Sequence, residues 1–473
     1  MKKILAFAFI GFVISSCKKD VASVNHGDFP KDVGRIMANS CALSGCHDSK
    51  SYQAAAGLDL SSWRSLFKGS NSGSPVIPFS PKFSSLCYFI NTYEDLGIQN
   101  VPTMPLNRSS LSREEVKLVQ DWIQEGAKDV NGNVMWGDDP ARKKLYAVNQ
   151  GCDVVTVFDA NTQLPIRYID VGNKPGVIES PHQIRVSPDG QYWYVNFINN
   201  NILQKYRCSD DHLVAEIPMV PNGSTYYGDW NTFLITKDSN KAFCVSWKTL
   251  GKLVCLDLVN HKFVKELNIP DNPHAIALSA DEKKVYVGTQ MGNYINEIDT
   301  EFTFINPISI DGQAPSGTSS LDIHDMVLDE LNNRLVMTCQ KTNQVKVYDI
   351  ASNTVIATVS VGLWPQEIVY TSKTDQYFVT CMNDHTVSRI DNNSWLTSSL
   401  PVGFLPHGIC VDERKKLIYV LSRNVQPNGP APHHTSVCAG RNGFVNFIDL
   451  NTFTLLKKKY EMSVDPYFIS PIP

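Results

Sequence analysis

The stretch CALSGCH, Cys41 to His47, places two thiols and an imidazole within a few residues of one another. Such a trio is an accident of sequence, a disulfide pair, or a site for covalent attachment of a haem. In the last, two thioethers hold the porphyrin and the adjacent imidazole reaches the iron. The usual attachment spacing is Cys-x-x-Cys-His, whereas four residues separate Cys41 from Cys46. A haem c reading therefore expects the longer loop to bulge outward while Cys46 and His47 keep their relation. Met104, followed by Pro105, offers a thioether as distal ligand, a soft donor that favours ferrous iron. His26 is an alternative distal donor, Met37 reads as core, and Cys87 reads as a buried helix position. The plainer reading is an exported Cys41–Cys46 disulfide beside an uninvolved His47.

The elements that must position these groups fall into two halves. Residues 30–130 read as helices between polar loops. The clearest helix is LSREEVKLVQDWIQEGA. Ser112 and Glu115 form a capping box, Leu111 and Val116 a hydrophobic staple, Val116, Val119 and Ile123 one apolar face, and Gly126 the stop. Residues 131–140 read as a linker. From residue 141 to 473 the period becomes that of strands, recurring every 40–50 residues as propeller blades do. Six copies are complete, among them PHQIRVSPDGQYWYVNFINNNILQKYRC and PHAIALSADEKKVYVGTQMGNYINEID. A seventh, beginning KKLYAVNQG, lacks its first strand, which the C-terminal VDPYFIS can supply. The fold class expected is multidomain: a small all-α domain followed by an all-β seven-bladed propeller closed by its last strand.

Two resemblances sharpen this. The blade pattern of Pro-His-x-Ile, Ser-Pro-Asp-Gly and Tyr-Val-x-Asn resembles the YVTN family of seven-bladed propellers, which specifies fold and leaves function open. The segments VGRIMANSCALSGCHDSKSYQAAAGLDLSSW and VPTMPLNRSSLSREEVKLVQDWIQEGA resemble bacterial class I-like cytochrome c domains. There a helix leads to the haem motif, a Met-Pro loop gives the distal ligand, and the last helix ends in Trp-Ile-x-x-Gly-Ala. Cys-x4-Cys-His is a known variant in such cytochromes. That resemblance implies Cys41 and Cys46 as covalent haem attachments, His47 as proximal iron ligand and Met104 as distal ligand.

A second set of candidate residues sits on the propeller. His182, His274, His324 and His407 start four innermost strands and should ring the channel mouth. Read functionally, they seat a metal or second cofactor, as a histidine ring does in the nitrous oxide reductases that they resemble. Asn231, Gln366 and Tyr467 occupy or lie near the other three positions, a departure from that pattern. Read plainly, the Pro-His pair is a turn inherited with the repeat. The long insertions 171–180, 221–230, 311–321 and 425–443 all fall on the same face, which marks a binding face. In the last, His433, His434 and Cys438 offer metal donors, and Cys438 alternatively pairs with Cys152 as a disulfide. Cys244 and Cys255 either face each other across a hairpin or pack as buried thiols. Cys339, Cys381 and Cys410 read as core.

The chain has 473 residues, 42% apolar and 19% charged, with a formal net charge of −4. No basic run suggests nucleic acid. MKKILAFAFIGFVISSC has a positive start and an apolar run too short to span a bilayer, and its end resembles the lipobox of bacterial lipoproteins. That resemblance implies a lipoprotein signal peptide over residues 1–17, cleaved so that lipidated Cys17 becomes the first residue of the mature protein, and attachment to a membrane by acyl chains. Lys18 is not the Asp of inner-membrane retention, so the expectation is the outer membrane, facing the periplasm or the cell surface. The function expected is a membrane-anchored c-type cytochrome carrying single electrons to or from a redox partner protein, with the propeller as docking platform. The alternatives are a periplasmic oxidoreductase whose propeller binds substrate or a second cofactor, and an envelope sensor or binding module. Fusion of haem to propeller resembles haem-d nitrite reductases only in plan, since those propellers have eight blades. No catalytic constellation stands out among carboxylates spread through turns.

Overall fold

The computed structural model describes residues 26–137 and 139–471, so Cys17 and the export stretch lie outside the described residues. From Lys144 onward the chain forms seven antiparallel four-stranded sheets. Six are continuous in sequence, spanning 181–218, 230–270, 273–309, 323–360, 365–401 and 406–464, and are numbered here as blades 2 to 7. Blade 1 is composite: Lys144–Asn149, Val154–Asp159 and Pro165–Asp170 take their innermost strand from Pro466–Pro471. Leu145 pairs with Pro471 and Tyr146 with Ser470, which closes the ring between the two ends of the propeller sequence. Closure gives every inner strand edge a covered neighbour and removes the unpaired edges of an open sheet stack.

Burial follows strand position. Val154–Asp159 is buried at every residue because neighbouring blades pack on both faces. On the outer strand Lys262–Pro270, Lys262, Val264, Glu266 and Asn268 face water while Phe263, Leu267 and Ile269 turn inward, the period of two expected of a half-covered strand. Each innermost strand carries a register shift near its start, so the same bulge recurs around the ring. A bulge re-aims the residues beside it. Here it frees the second and third residues of each inner strand from strict alternation.

Residues 26–137 build a separate apolar core around Phe29, Val33, Ile36, Trp63, Leu66, Val116, Val119 and Ile123. Its helices are α1 (Lys31–Ile36), α2 (Trp63–Leu66), α3 (Ser85–Ile90) and α4 (Arg113–Gln124). The Ser112 hydroxyl accepts the Glu115 N–H at 3.2 Å and the Glu115 carboxylate accepts the Ser112 N–H at 3.1 Å. Such a cap contributes about 1 kcal/mol. Gly126, at φ +102°, ends the helix in a left-handed turn. Within the segment 131–140, which is mostly exposed, the half-buried Trp136 stands edge-on to Phe67 at 5.3 Å and touches apolar clusters of both halves.

The helical unit lies against the seam of the ring, on the outer strands of blades 1 and 7. Phe83 stacks on Tyr168 at 4.4 Å, the Arg167 guanidinium covers Phe79, and the Ser74 hydroxyl donates to the Pro165 carbonyl at 2.6 Å. At Gly69 (φ +83°) the backbone is left-handed and a Cβ would stand 2.7 Å from a Leu164 side-chain methyl, so glycine suits this contact between the helical unit and blade 1. From blade 7, Thr435 donates its N–H to Asn100 Oδ1 at 3.1 Å, while Tyr88 and Phe89 pack on His434 and His433. Cys152 and Cys438 form a disulfide that ties a blade 1 loop to the blade 7 insertion.

Cys244 and Cys255 do not face each other. Cys244 pairs with Val254 and Cys255 with Phe243, a register one residue away from a direct match. Side chains alternate, so the two thiols enter the cores on opposite faces of blade 3.

Because closure rests on one strand, a chain ending at Asp465 is expected to lose cooperative unfolding and to aggregate. Thermal melting and size-exclusion chromatography check this; a monomer with an unchanged melting temperature contradicts it.

Candidate functional site

Helix α1 runs into a wide turn, Met37–Cys41, that ends on the first thiol of the CALSGCH stretch. The loop then leaves the body of the unit and returns. Cys46 N–H donates to the Leu43 carbonyl at 2.9 Å and His47 N–H to the Cys41 carbonyl at 3.2 Å. One backbone bond thus brings His47 back beside Cys41 despite the long spacing. Gly45, at φ +81° with open space around its Cα, makes the tight return possible. Cys41 and Cys46 are unbonded thiols. Burial, with Cys46 nearby, pushes the Cys41 thiol up to about 12, so it remains protonated.

Cys41, Cys46, His47 and Met104 all line one cavity of about 400 Å³. Its other walls include Leu58, Leu60, Leu86, Phe89, Ile90, Pro102 and Leu106, with Arg108 among the lining residues. That volume and apolar lining fall in the range of cofactor sites. The Met104 N–H donates to the Phe89 carbonyl at 2.7 Å, which pins the Met-Pro loop to the end of α3. His47 Nδ1 lies 3.0 Å from the Leu58 carbonyl. A carbonyl only accepts, so Nδ1 carries the proton and Nε2 keeps its lone pair, the tautomer a metal-binding imidazole requires. The donor set, the tautomer and the apolar walls fit a porphyrin bound through two sulfurs and one imidazole. Met37 is buried in the core, and His26 packs over Gly34. Neither is a cavity residue.

His433 lines the same cavity. It belongs to the blade 7 insertion, so the propeller supplies part of the wall. No local pattern announces this, because the contact joins residues more than three hundred positions apart.

On the propeller, His182, His274, His324 and His407 are brought together at the channel. Ring centroids are 6.0 Å apart for His182 and His274, 4.3 Å for His274 and His324, and 5.5 Å for His324 and His407. Tyr467 closes the circle, 3.7 Å from His407 and 4.5 Å from His182. Above them opens a mouth cavity of about 490 Å³, bounded also by Trp247, Trp364, Met382 and Arg423. Burial lowers the pKa of all four histidines, and that of His274 falls to about 4. All four are neutral at neutral pH.

Glu367, one residue past the ring position Gln366, was not a candidate in the sequence. The inner-strand bulge turns it into the channel, where its Oε1 lies 3.8 Å from both His324 Nε2 and His407 Nδ1. Its carboxyl hydrogen-bonds to that of Asp325, and burial followed by this neighbour holds Glu367 well above the usual carboxylate range. The buried atoms His324 Nε2 and His407 Nε2 have no hydrogen-bond partner. An unpartnered buried polar atom costs about 1–3 kcal/mol. His433 and His434 lie apart from this cluster, at the interface with the helical unit, where Glu461 accepts the His433 N–H at 2.6 Å. Cys438 is taken up by its disulfide and offers no thiolate to a metal there.

No family model matches the chain. A stretch of 166 residues, 34% of this chain, is 28% identical to Antigen Lp49 of Leptospira interrogans and covers 33% of that protein. The match therefore spans about a third of that relative's length. Hydrazine synthase of Kuenenia stuttgartiensis superposes with a TM-score of 0.48 and 18% identity, over 63% of this chain and 93% of that one. The assignment of seven blades rests on the strand pairing of the chain itself.

Proposed function

We propose that this protein is a c-type cytochrome fused to a YVTN-like propeller, carrying single electrons through one covalently bound haem. The observation that carries this reading is convergence: the four residues singled out for haem chemistry, from two separate stretches, line one apolar cavity. Cys41 and Cys46 would hold the porphyrin through thioethers, and His47 Nε2 and Met104 Sδ would bind its iron. Haem c bound there supplies a one-electron iron couple and needs no acid or base from the protein. The chain's residues do the rest. Leu58 fixes the His47 tautomer, the Phe89 carbonyl holds Met104 in place, and the apolar walls keep water from the metal. The methionine thioether favours the reduced state.

The propeller serves this reading as platform and docking surface for a redox partner protein, and His433 brings it to the edge of the cofactor cavity. Attachment to a membrane through lipidated Cys17, in the cell envelope, completes the proposal and rests on the sequence stretch before residue 18. A second reading, an oxidoreductase whose propeller carries its own centre, is favoured by one observation: the buried His324–Glu367–His407 cluster.

The test is expression with a haem-attachment system. Wild-type protein is expected to keep its colour through acid–acetone extraction, and the double variant Cys41→Ser/Cys46→Ser to lose it while the propeller's circular dichroism is unchanged. Equal retention by both contradicts covalent attachment at these thiols. Met104→Ala is expected to abolish the weak red-edge absorption of the iron–thioether bond and to lower the reduction potential. If the band persists in that variant, another residue is the distal ligand.

A further inference from the structure

The channel cluster has the chemistry of a metal site that is separate from the cavity of the helical unit. His324 and Glu367 stand on adjacent inner strands, and His407 on the next one round the ring. One donor atom from each lies within 4.8 Å of the other two. All three side chains are more than nine-tenths buried, with relative exposures of 5%, 6% and 0%. His407 donates its Nδ1 proton to the Tyr467 carbonyl at 3.0 Å, which leaves its Nε2 with a lone pair and no partner. A third imidazole, His274, stacks on His324 and donates its own Nδ1 proton to the His324 carbonyl at 2.6 Å. Pinned through Nδ1 to that carbonyl, the His274 ring backs the His324 ring.

We infer that His324, Glu367 and His407 bind a single divalent first-row transition metal ion at the base of the channel mouth. Two imidazoles and a carboxylate suit zinc, copper, iron or nickel in preference to calcium or magnesium. Every donor is neutral or protonated in the metal-free chain, so metal binding moves protons. Glu367 shares a hydrogen bond with Asp325, and its proton leaves to solvent when the metal binds. Asp325 keeps the Ile368 N–H at 2.9 Å, and the Arg185 guanidinium nearby offsets the added negative charge. Both imidazoles change tautomer. The His407 atom that faces Glu367 is Nδ1, 3.8 Å from Oε1, so on metal binding its proton moves to Nε2 and the Tyr467 carbonyl loses its donor. His324 changes in the opposite sense. Its Nδ1 now accepts from the Gln290 amide at 3.1 Å, because the Gln290 carbonyl takes the Trp247 indole N–H. On metal binding the His324 proton moves from Nε2 to Nδ1, and the Gln290 amide turns to accept it. Trp247 is 42% exposed, so its indole N–H then donates to water.

Of the three, His324 also lines the mouth cavity of about 490 Å³, which brings that space to one side of the cluster. This inference does not rest on haem, and the two fail separately.

The test is calorimetric titration of the full chain with Zn²⁺ after chelator treatment. One equivalent is expected to bind, and Glu367→Gln is expected to weaken it by more than about 100-fold. Gln is nearly isosteric with Glu and its amide still donates to Asp325, so that variant should melt as the wild type does. His407→Gln is the second variant. His433→Gln/His434→Gln should bind as wild type, as should Cys41→Ser/Cys46→Ser, which removes only the haem attachment. No stoichiometric Zn²⁺ in wild type, equal affinity in Glu367→Gln, or loss of the site in His433→Gln/His434→Gln would each overturn the inference.

Discussion

The pairing of Pro466–Pro471 with Lys144–Asn149 is the contact on which the rest of the molecule depends. A ring of sheets has a defined bore only when it is shut, and the bore decides whether histidines from four blades meet. Tyr467, on the closing strand, packs against both His407 and His182 and offers its backbone carbonyl to His407. Arg423 lies over the same tyrosine and is held by Asp465, the residue just before that strand. The channel cluster and the closure are therefore one construction.

The same seam receives the helical unit. Its contacts run to Pro165–Asp170 of blade 1 and to Thr454–Val464 and the 425–443 insertion of blade 7, the two blades that closure joins. The Cys152–Cys438 disulfide spans the same junction, with 286 residues between its cysteines. A link across so long a loop restricts the unfolded chain strongly, a contribution of about 5–6 kcal/mol in the chain-entropy model. Most of the polar contact there is small or exposed, such as Lys82–Asp170, and contributes little. Aromatic stacking, the glycine approach at Gly69 and the disulfide set the docking, and they bring His433 to the cavity that holds Cys41, Cys46, His47 and Met104.

Much of this was legible in residue order because it is local or repeated. The blade pattern, the missing first strand before Lys144 and its replacement near Tyr467 follow from a period that recurs along the chain. The Ser112–Glu115 cap follows from four consecutive positions. What was not legible depends on register or on distance. Strict alternation puts Gln366 and Glu367 on opposite faces, and only the bulge at the start of the strand brings both to the channel. Cys244 and Cys255 look symmetric about their turn, yet a register offset of one residue separates them. Trp136 sits in a polar stretch that reads as a tether, and its contact with both halves is a tertiary fact.

The account stands or falls on what the thiols of Cys41 and Cys46 carry in the mature protein. Mass spectrometry of the proteolytic peptide containing both, prepared from protein matured in a haem-attaching host, reads this directly. The peptide is predicted to carry the mass of one haem across the two cysteines. A peptide two hydrogens lighter than the dithiol, or two alkylatable thiols with no added mass, would contradict it.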